Sequence, residues 1–316
     1  LPDLSDIAAS SREIIRKGSK SFAAAARLFD SETRDDVYLL YAWCRYCDDL
    51  IDGQELGFGN AEISPQEAEE RLALLRRSTL DALNGNANAE PAFIGLQQVV
   101  SKYEIPHRYP LELIDGFAMD VAGAEYHDLE DTLLYCYHVA GVVGVMMAFV
   151  MGVRQPEVLS RAADLGIAFQ ITNISRDVMD DASNQRNYLP LNWLRDAGVP
   201  ASEVASAEHR QAVFEVVERL LQVAERYYAS AEDGIRSLGF RAGWAVSTAS
   251  GVYRDIGSLV SERGAHAWDQ RAYVTSGRKL LWGLRGAGKA LAAAGLQRGR
   301  EAPPREDDLW IKPDLC

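Results

Sequence analysis

Two twelve-residue stretches, 41–52 and 170–181, constrain this chain more than anything else in it. Both are apolar segments in which acidic and amide side chains recur three and four residues apart. An α-helix turns about 100° per residue, so that spacing gathers the polar groups on one face. With Tyr41 set at zero, Arg45, Asp48 and Asp52 project at about 40°, −20° and 20°, one narrow stripe, while Asp49 falls well off it. With Gln170 at zero, Asn173, Asp177 and Asp181 project at about −60°, −20° and 20°. The neighbours are apolar: Leu39, Leu40, Trp43, Leu50 and Ile51 around the first stripe, Ile167, Phe169, Ile171, Ile174 and Val178 around the second. Neither stripe reads as an ordinary solvated helix surface.

Carboxylates four residues apart repel, weakening a helix by about 0.2–0.5 kcal/mol. Something must offset that repulsion in an apolar setting, and a hard cation does so directly. Mg²⁺ takes one or two carboxylates, keeps some waters and completes its shell with phosphate oxygens. Two such faces opposed across a bundle would clamp a diphosphate and neutralise it as it departs. Each pair also has an arginine beside it, Arg45 and Arg176. The rival carboxylate metal centre, a di-iron bundle, needs Glu-x-x-His on two helices, which the sequence does not supply.

Helical periodicity runs through the chain, and strand-length alternation does not recur. Helices are expected at 5–17, 21–29, 31–52, 65–83, 92–103, 110–122, 131–151, 155–181, 209–238, 243–262 and 276–293, with a short piece at 191–195. Glycines at 53–64, the Asn84-Gly85-Asn86 turn, and Pro190 and Pro200 punctuate them. No linker separates two compositions, so residues 1–298 read as one helical domain, followed by a mobile tail at 299–316 that contains Pro303-Pro304. The longest apolar run, 139–153, has 15 residues. It is short of the roughly 20 needed to span a bilayer and reads as a buried helix. Along the segment that begins at Tyr135 and runs into it, Tyr135, Val139, Val142 and Met146 project within about 60° of one another, a polar tip above an apolar stripe that could wall a tunnel.

The net charge of −13 offers nucleic acid no evident basic patch. A small anionic substrate would need local cations or metal. Cys44 and Cys47 form a C-x-x-C without a second pair at zinc spacing, and read as small core residues on one helix face. The five histidines show no metal spacing. Reduced thiols and the absence of a visible secretory signal give the expectation of a cytoplasmic protein, with contact at a membrane surface left open. No sequence feature sets an oligomeric state.

Together with Gly18-Ser19-Lys20-Ser21-Phe22, Tyr135–Gly144 and Arg186-Asn187-Tyr188-Leu189-Pro190, the two stripes resemble the head-to-head prenyl synthases, the family of phytoene, squalene and dehydrosqualene synthases. The resemblance implies an all-α, isoprenoid-synthase-type helical bundle with a central cavity. It also implies a two-step transferase reaction, relevant to carotenoid biosynthesis. Loss of diphosphate from one allylic substrate gives a cation, and the double bond of a second substrate attacks it. The resulting cyclopropylcarbinyl diphosphate ionises, rearranges and loses a proton. Asp48, Asp52, Asn173, Asp177 and Asp181 are implied as ligands of Mg²⁺, with Mn²⁺ as a substitute. Arg45, Ser19, Lys20, Ser21, Gln170, Arg176 and Arg271 are implied at the diphosphates, and Tyr41, Tyr135 and Tyr253 at the reacting centre, with Val139 and Val142 along the prenyl tail.

The motifs look more like the C40 branch, which joins two geranylgeranyl diphosphates, than the C30 branch built on farnesyl diphosphate. No NADPH is expected, and no Gly-x-Gly-x-x-Gly is present. Where the family usually has Gly-Arg before Tyr-Leu-Pro, this chain has Gln185-Arg186-Asn187. An inactive homologue serving as an assembly subunit would typically lose metal ligands. Every expected one is present.

Overall fold

Asp30 opens the helix that carries the first acidic stripe, its carboxylate accepting the Thr33 amide at 3.0 Å. Gly53, at φ 63°, ends that helix in the left-handed conformation glycine adopts without strain. In the computed structural model of the chain, which describes residues 4–18, 20–53, 63–295, 302–310 and 312, this segment is one of thirteen α-helices. They are α1 Leu4–Gly18, α2 Lys20–Ala26, α3 Ser31–Asp52, α4 Pro65–Leu83, α5 Pro91–Tyr103, α6 Arg108–Val121, α7 Leu129–Cys136, α8 Val142–Val150, α9 Pro156–Ser183, α10 Leu191–Asp196, α11 Arg210–Ile235, α12 Phe240–Arg263 and α13 Ser276–Ala294. No strand occurs among the described residues.

The helices group into two compact units, one of residues 1–122 with 145–154, the other of 123–144 with 155–316. The chain passes between the units three times, after Ala122, inside a helical run after Gly144, and after Arg154, and no composition shift marks these points. In the first unit α3 packs against α1, α4, α5 and α6, and Leu40, Trp43, Leu75, Leu96 and Ile114 are fully buried. In the second, α9 packs against α11 and α12, with Ala168, Ile171, Val217, Leu220 and Val260 enclosed. The run Leu129–Val150 is long and apolar enough to cross a bilayer, yet it is mostly buried within the protein, as a core helix is.

That run is not one regular helix. Tyr137–Gly141 form a π turn between α7 and α8. A π turn adds a residue per turn and shifts the phase of everything after it, so projecting Tyr135 with Val142 at 100° per residue fails. Val142 has no accessible surface and faces packed atoms, which removes it from the expected tunnel wall. Val139 is half-buried and keeps some surface.

The π segment crosses α9 at bare backbone. A Cβ on Gly166 would stand 2.2 Å from the Ala140 carbonyl oxygen and 2.7 Å from the Gly141 Cα, and one on Gly144 2.3 Å from the Ala162 carbonyl oxygen. At its other end α9 closes in a Schellman turn: Arg186 N–H donates to the Asp181 carbonyl at 2.9 Å and Gln185 N–H to the Ala182 carbonyl at 3.1 Å. Gln185 takes φ 58° there, a left-handed position that the family's usual glycine would hold without strain.

Residues 302–310 are not a free tail. Arg305 forks onto Asp164 of α9, donating from Nε at 2.9 Å and Nη2 at 2.8 Å, and Asp164 is only 1% exposed. Ser230 Oγ also donates to Asp164, at 2.6 Å, while the buried Arg161 donates to the Ser230 and Pro303 carbonyls. Two ionisable side chains on α9 thus have partners supplied by Pro303 and Arg305. The mixed charge and prolines that suggest mobility are here the means of attachment.

Replacing Gly166 by alanine is expected to cost about 2–4 kcal/mol of stability, because only backbone can give way. Gly288→Ala on α13, where a Cβ meets nothing within 4 Å, should be neutral or gain up to about 1 kcal/mol from helix propensity. Urea or thermal unfolding of the two variants distinguishes a packing constraint from a generic glycine effect.

Candidate active site

On α3 the first stripe forms as its spacing requires. Arg45 Nη1 donates to Asp48 at 2.5 Å and stands 3.7 Å from Asp49, so Asp49, which projects off the stripe, still reaches the same guanidinium. Burial pushes the Asp48 carboxyl up to about 6; Arg45 opposes this, and the charges of Asp52, Asp49 and Asp120 reinforce it. The Asp48 side chain keeps 41% of its surface, so the crowding is that of a recess open to solvent rather than a closed core. Tyr41 stacks on Phe22 with centroids 5.9 Å apart. The end of α1 comes close: a Cβ on Gly18 would lie 2.9 Å from the Tyr41 hydroxyl and 3.6 Å from Arg45 Nε. The Gly18-Ser-Lys-Ser turn therefore starts against this stripe, and α2 begins at Lys20. Ser19 lies outside the described residues, as do the side chains of Lys20 and Ser21.

On α9 the second stripe is ringed by arginines. Arg176 Nε donates to Asp177 at 2.8 Å, its Nη2 donates to the other carboxylate oxygen, and Arg271 Nη2 donates to Asp177 at 2.9 Å. Burial pushes Asp181 up to about 7, with Asp177 adding to the rise, Arg186 opposing it, and Asp180 and Arg176 contributing less. Asn173 Nδ2 faces Gln170 Oε1 at 3.4 Å. Asp180 is exposed, off the stripe as projected. Trp268 Nε1 donates to the Ser175 carbonyl at 3.1 Å, tying the segment that carries Arg271 to α9.

The other candidates are aromatic and packed. Tyr253 stacks on Phe169 with centroids 4.2 Å apart, on the α12 side of α9. Tyr135 is nearly buried and stacks on Tyr188 of the Arg-Asn-Tyr-Leu-Pro loop at 4.6 Å. Thr132 Oγ1 pins that loop by donating to the Tyr188 carbonyl at 3.0 Å. Burial pushes the Cys44 thiol up to about 12 and those of Cys47 and Cys136 well above the usual range, so all three stay protonated; Cys47 and Cys136 are core residues and Cys44 is half-buried.

Sequence reasoning gave no role to Arg186, Trp268, Gly18 or Asp49. Trp268 reaches α9 from a loop distant in sequence, and Arg186 follows the end of α9 directly, past a turn whose course helix periodicity does not set. Gly18 acts by lacking a side chain, and Asp49 reaches its neighbours by side-chain length, which projection of Cα positions ignores.

Among the described residues, no three His, Cys, Asp or Glu side chains converge to hold a metal unaided. A cation that completes its shell with water and phosphate needs no such cluster. The donors on each stripe are all oxygen, and the carboxylates hold one another's proton affinity up, an excess of negative charge that a hard divalent cation relieves. That chemistry fits Mg²⁺ or Mn²⁺ and not a thiophilic metal.

Comparison with known proteins places the chain among its relatives. Residues 15–278 match the squalene/phytoene synthase family model. The chain is 48% identical over 301 residues to a 15-cis-phytoene synthase of Pantoea ananas, covering 95% of this chain and 96% of that protein. It is 45% identical over 315 residues to a 15-cis-phytoene synthase of Paracoccus sp. (strain N81106 / MBIC 01143), covering 98% and 99%. Among solved structures, a dehydrosqualene synthase in complex with ligand superposes with a TM-score of 0.81 at 25% identity, covering 92% of this chain and 98% of that one. The chain belongs to the squalene/phytoene synthase family.

Proposed function

We propose that the chain is a prenyltransferase that joins two molecules of geranylgeranyl diphosphate head to head, releasing diphosphate and forming phytoene through a cyclopropylcarbinyl diphosphate. The choice of C40 over C30 rests on the 48% identity to a 15-cis-phytoene synthase along nearly the whole chain, against 25% for the dehydrosqualene synthase. The two carboxylate stripes support the reaction type.

Asp48 and Asp52 on α3, and Asn173, Asp177 and Asp181 on α9, are the residues that would hold Mg²⁺. The metal supplies charge neutralisation for the departing diphosphate. Arg45 and the turn that begins at Gly18 bind and orient the diphosphate on the α3 side, as a helix start suits an anion. Arg176, Arg271 and Arg186 do the same beside α9. The guanidiniums of Arg45, Arg176 and Arg271 already sit at hydrogen-bond or ion-pair range of the carboxylates, so they can follow the phosphate oxygens without a large rearrangement. Val139, Phe169 and the stacked tyrosines form an apolar setting that keeps water from a carbocation. Tyr135 and Tyr253 would supply hydroxyl groups in the second unit and Tyr41 one beside the α3 stripe, to guide a proton away from the rearranged cation. The reaction balances without a reductant, so no NADPH is required.

Incubating the protein with geranylgeranyl or farnesyl diphosphate, with and without Mg²⁺ and NADPH, and weighing the hydrocarbon by mass spectrometry tests the reading. A C40 product dependent on divalent metal is expected. A C30 product alone would refute the substrate, and turnover in EDTA the metal. Asp48→Asn and Asp177→Asn should each lower turnover by more than about 100-fold while the helical circular dichroism persists.

The raised carboxyls also fix a pH dependence. Unfolded aspartates titrate near 3.8, whereas Asp48 and Asp181 titrate near 6 and 7 when folded. The metal-free folded state therefore holds extra protons between about pH 4 and 7, and the stability linked to these two groups falls as pH rises through that window. Mg²⁺ with inorganic diphosphate competes with those protons. The rise in melting temperature that the pair of ligands produces should be larger at pH 8 than at pH 5.5; an equal rise would show that neither carboxyl binds the metal.

A further inference from the structure

π turns are rare, occur as single turns inside α-helices and frequently mark functional places. Nothing in the composition of residues 137–141 favours one, so their neighbours must hold it. The Val142 amide reaches back five residues to the Tyr137 carbonyl. On one side Gly141 meets α9, where a Cβ would stand 3.4 Å from the Ala163 carbonyl oxygen. On the other the Tyr137 ring, 1% exposed, folds across the turn, its Cδ2 3.0 Å from where a Gly141 Cβ would be. Tyr137 thus begins the turn and closes over its end.

What closes over Tyr137 comes from beyond α13. The Trp310 ring meets it edge to face, with centroids 6.2 Å apart and planes at 66°, and Lys312 Nζ stands 5.5 Å from the Tyr137 centroid. Trp310 is placed in turn by its backbone. Its carbonyl accepts from Arg305 Nη2 at 3.0 Å and from the Tyr227 hydroxyl of α11 at 3.2 Å. The carbonyl of the buried Leu309 accepts from Arg305 Nη1 at 3.0 Å. The guanidinium that forks onto Asp164 of α9 therefore also fixes the two carbonyls beside the indole.

The turn governs two groups that the reaction uses. Tyr135 stands two residues before it and stacks on Tyr188, and Val139 lies inside it, half-buried. Relaxation of 137–141 to α geometry would rotate the residue after the turn by about 100° relative to Tyr135. We propose that Trp310 is a positioning residue: by seating Tyr137 it keeps 137–141 in the π turn and so sets where Val139 points relative to Tyr135. The seating stands on packing and hydrogen bonds alone. Its effect on substrate choice rests on the function proposed above.

Trp310→Ala and Trp310→Phe in the full chain test both parts, with Arg305 left intact because its loss would strand Asp164. Amide hydrogen exchange of the ligand-free protein reads the seating. In Trp310→Ala the peptide covering 137–142 is expected to exchange about tenfold faster or more, with α12 unchanged, and Trp310→Phe should retain most of the protection. Turnover reads the consequence. The ratio of kcat/KM for geranylgeranyl over farnesyl diphosphate should fall about fivefold in Trp310→Ala, since the longer tail depends on more of the wall. A smaller folded fraction lowers both values equally and leaves that ratio alone. Unchanged exchange at 137–142, or faster exchange spread over the whole protein, would overturn the seating, and an unchanged ratio would overturn the positioning role. A parent chain that makes no C40 product would refute the proposed function and the positioning role with it, while exchange still decides the seating.

Discussion

Like charges stacked one turn apart in apolar helices are the constraint around which the candidate site is arranged. Water would ordinarily screen Asp48 from Asp52 and Asp177 from Asp181, but burial removes much of that screening. The chain offsets the repulsion in two ways without a ligand. It brings guanidiniums to the carboxylates: Arg45 on α3, and Arg176 with Arg271 on α9. It also lets carboxyls retain protons, which is why Asp48 and Asp181 titrate near 6 and 7. Neither offset is as complete as a divalent cation between the oxygens. The same features that strain the ligand-free protein therefore favour metal and diphosphate together.

Holding that strain requires a stiff support, and α9 has one on its other faces. The glycines at 144 and 166 let backbone meet backbone across the π turn, leaving little room for the helix to shift. Farther round, Asp164 is fixed by Arg305 and Ser230, and Arg161 by the Ser230 and Pro303 carbonyls. An ion pair this deeply buried adds little net stability, but losing one partner strands a charge, so it specifies one seating of the segment after α13. α9 thus presents acid to the site on one face while a separate pair of charges fastens it on another.

Much of this was legible in the sequence, for a physical reason. Helix spacing is a local rule, so α3 and α4 begin and end where their caps and periodicity place them, at Ser31–Asp52 and Pro65–Leu83. The two stripes follow from the same rule. What escaped is nonlocal or irregular. The π turn at Tyr137–Gly141 has no signature in composition, and it invalidated the phase argument that put Val142 on a tunnel wall. The attachment of residues 302–310 needed the knowledge that Arg305 meets Asp164, 141 residues away. Arg271 reaches α9 from a loop for the same reason, and its place was suggested only by family resemblance; Arg186 follows the end of α9 directly, in a turn that helix periodicity does not set.

Charge distribution carries a further lesson, because a sum over the chain erases its pattern. A net charge of −13 argues against a polyanion as partner only if the sign is uniform. Here the acidic excess belongs to the rest of the chain, while residues 270–300 carry no acid at all and frame the most exposed leucines of a described helix. The same segment contains Arg271, which meets Asp177 on α9. A polar link to the acidic stripe of α9 and a row of exposed leucines thus occupy one short stretch of sequence. That division mirrors an amphiphilic substrate, whose diphosphate needs cations and whose prenyl chain needs a place out of water.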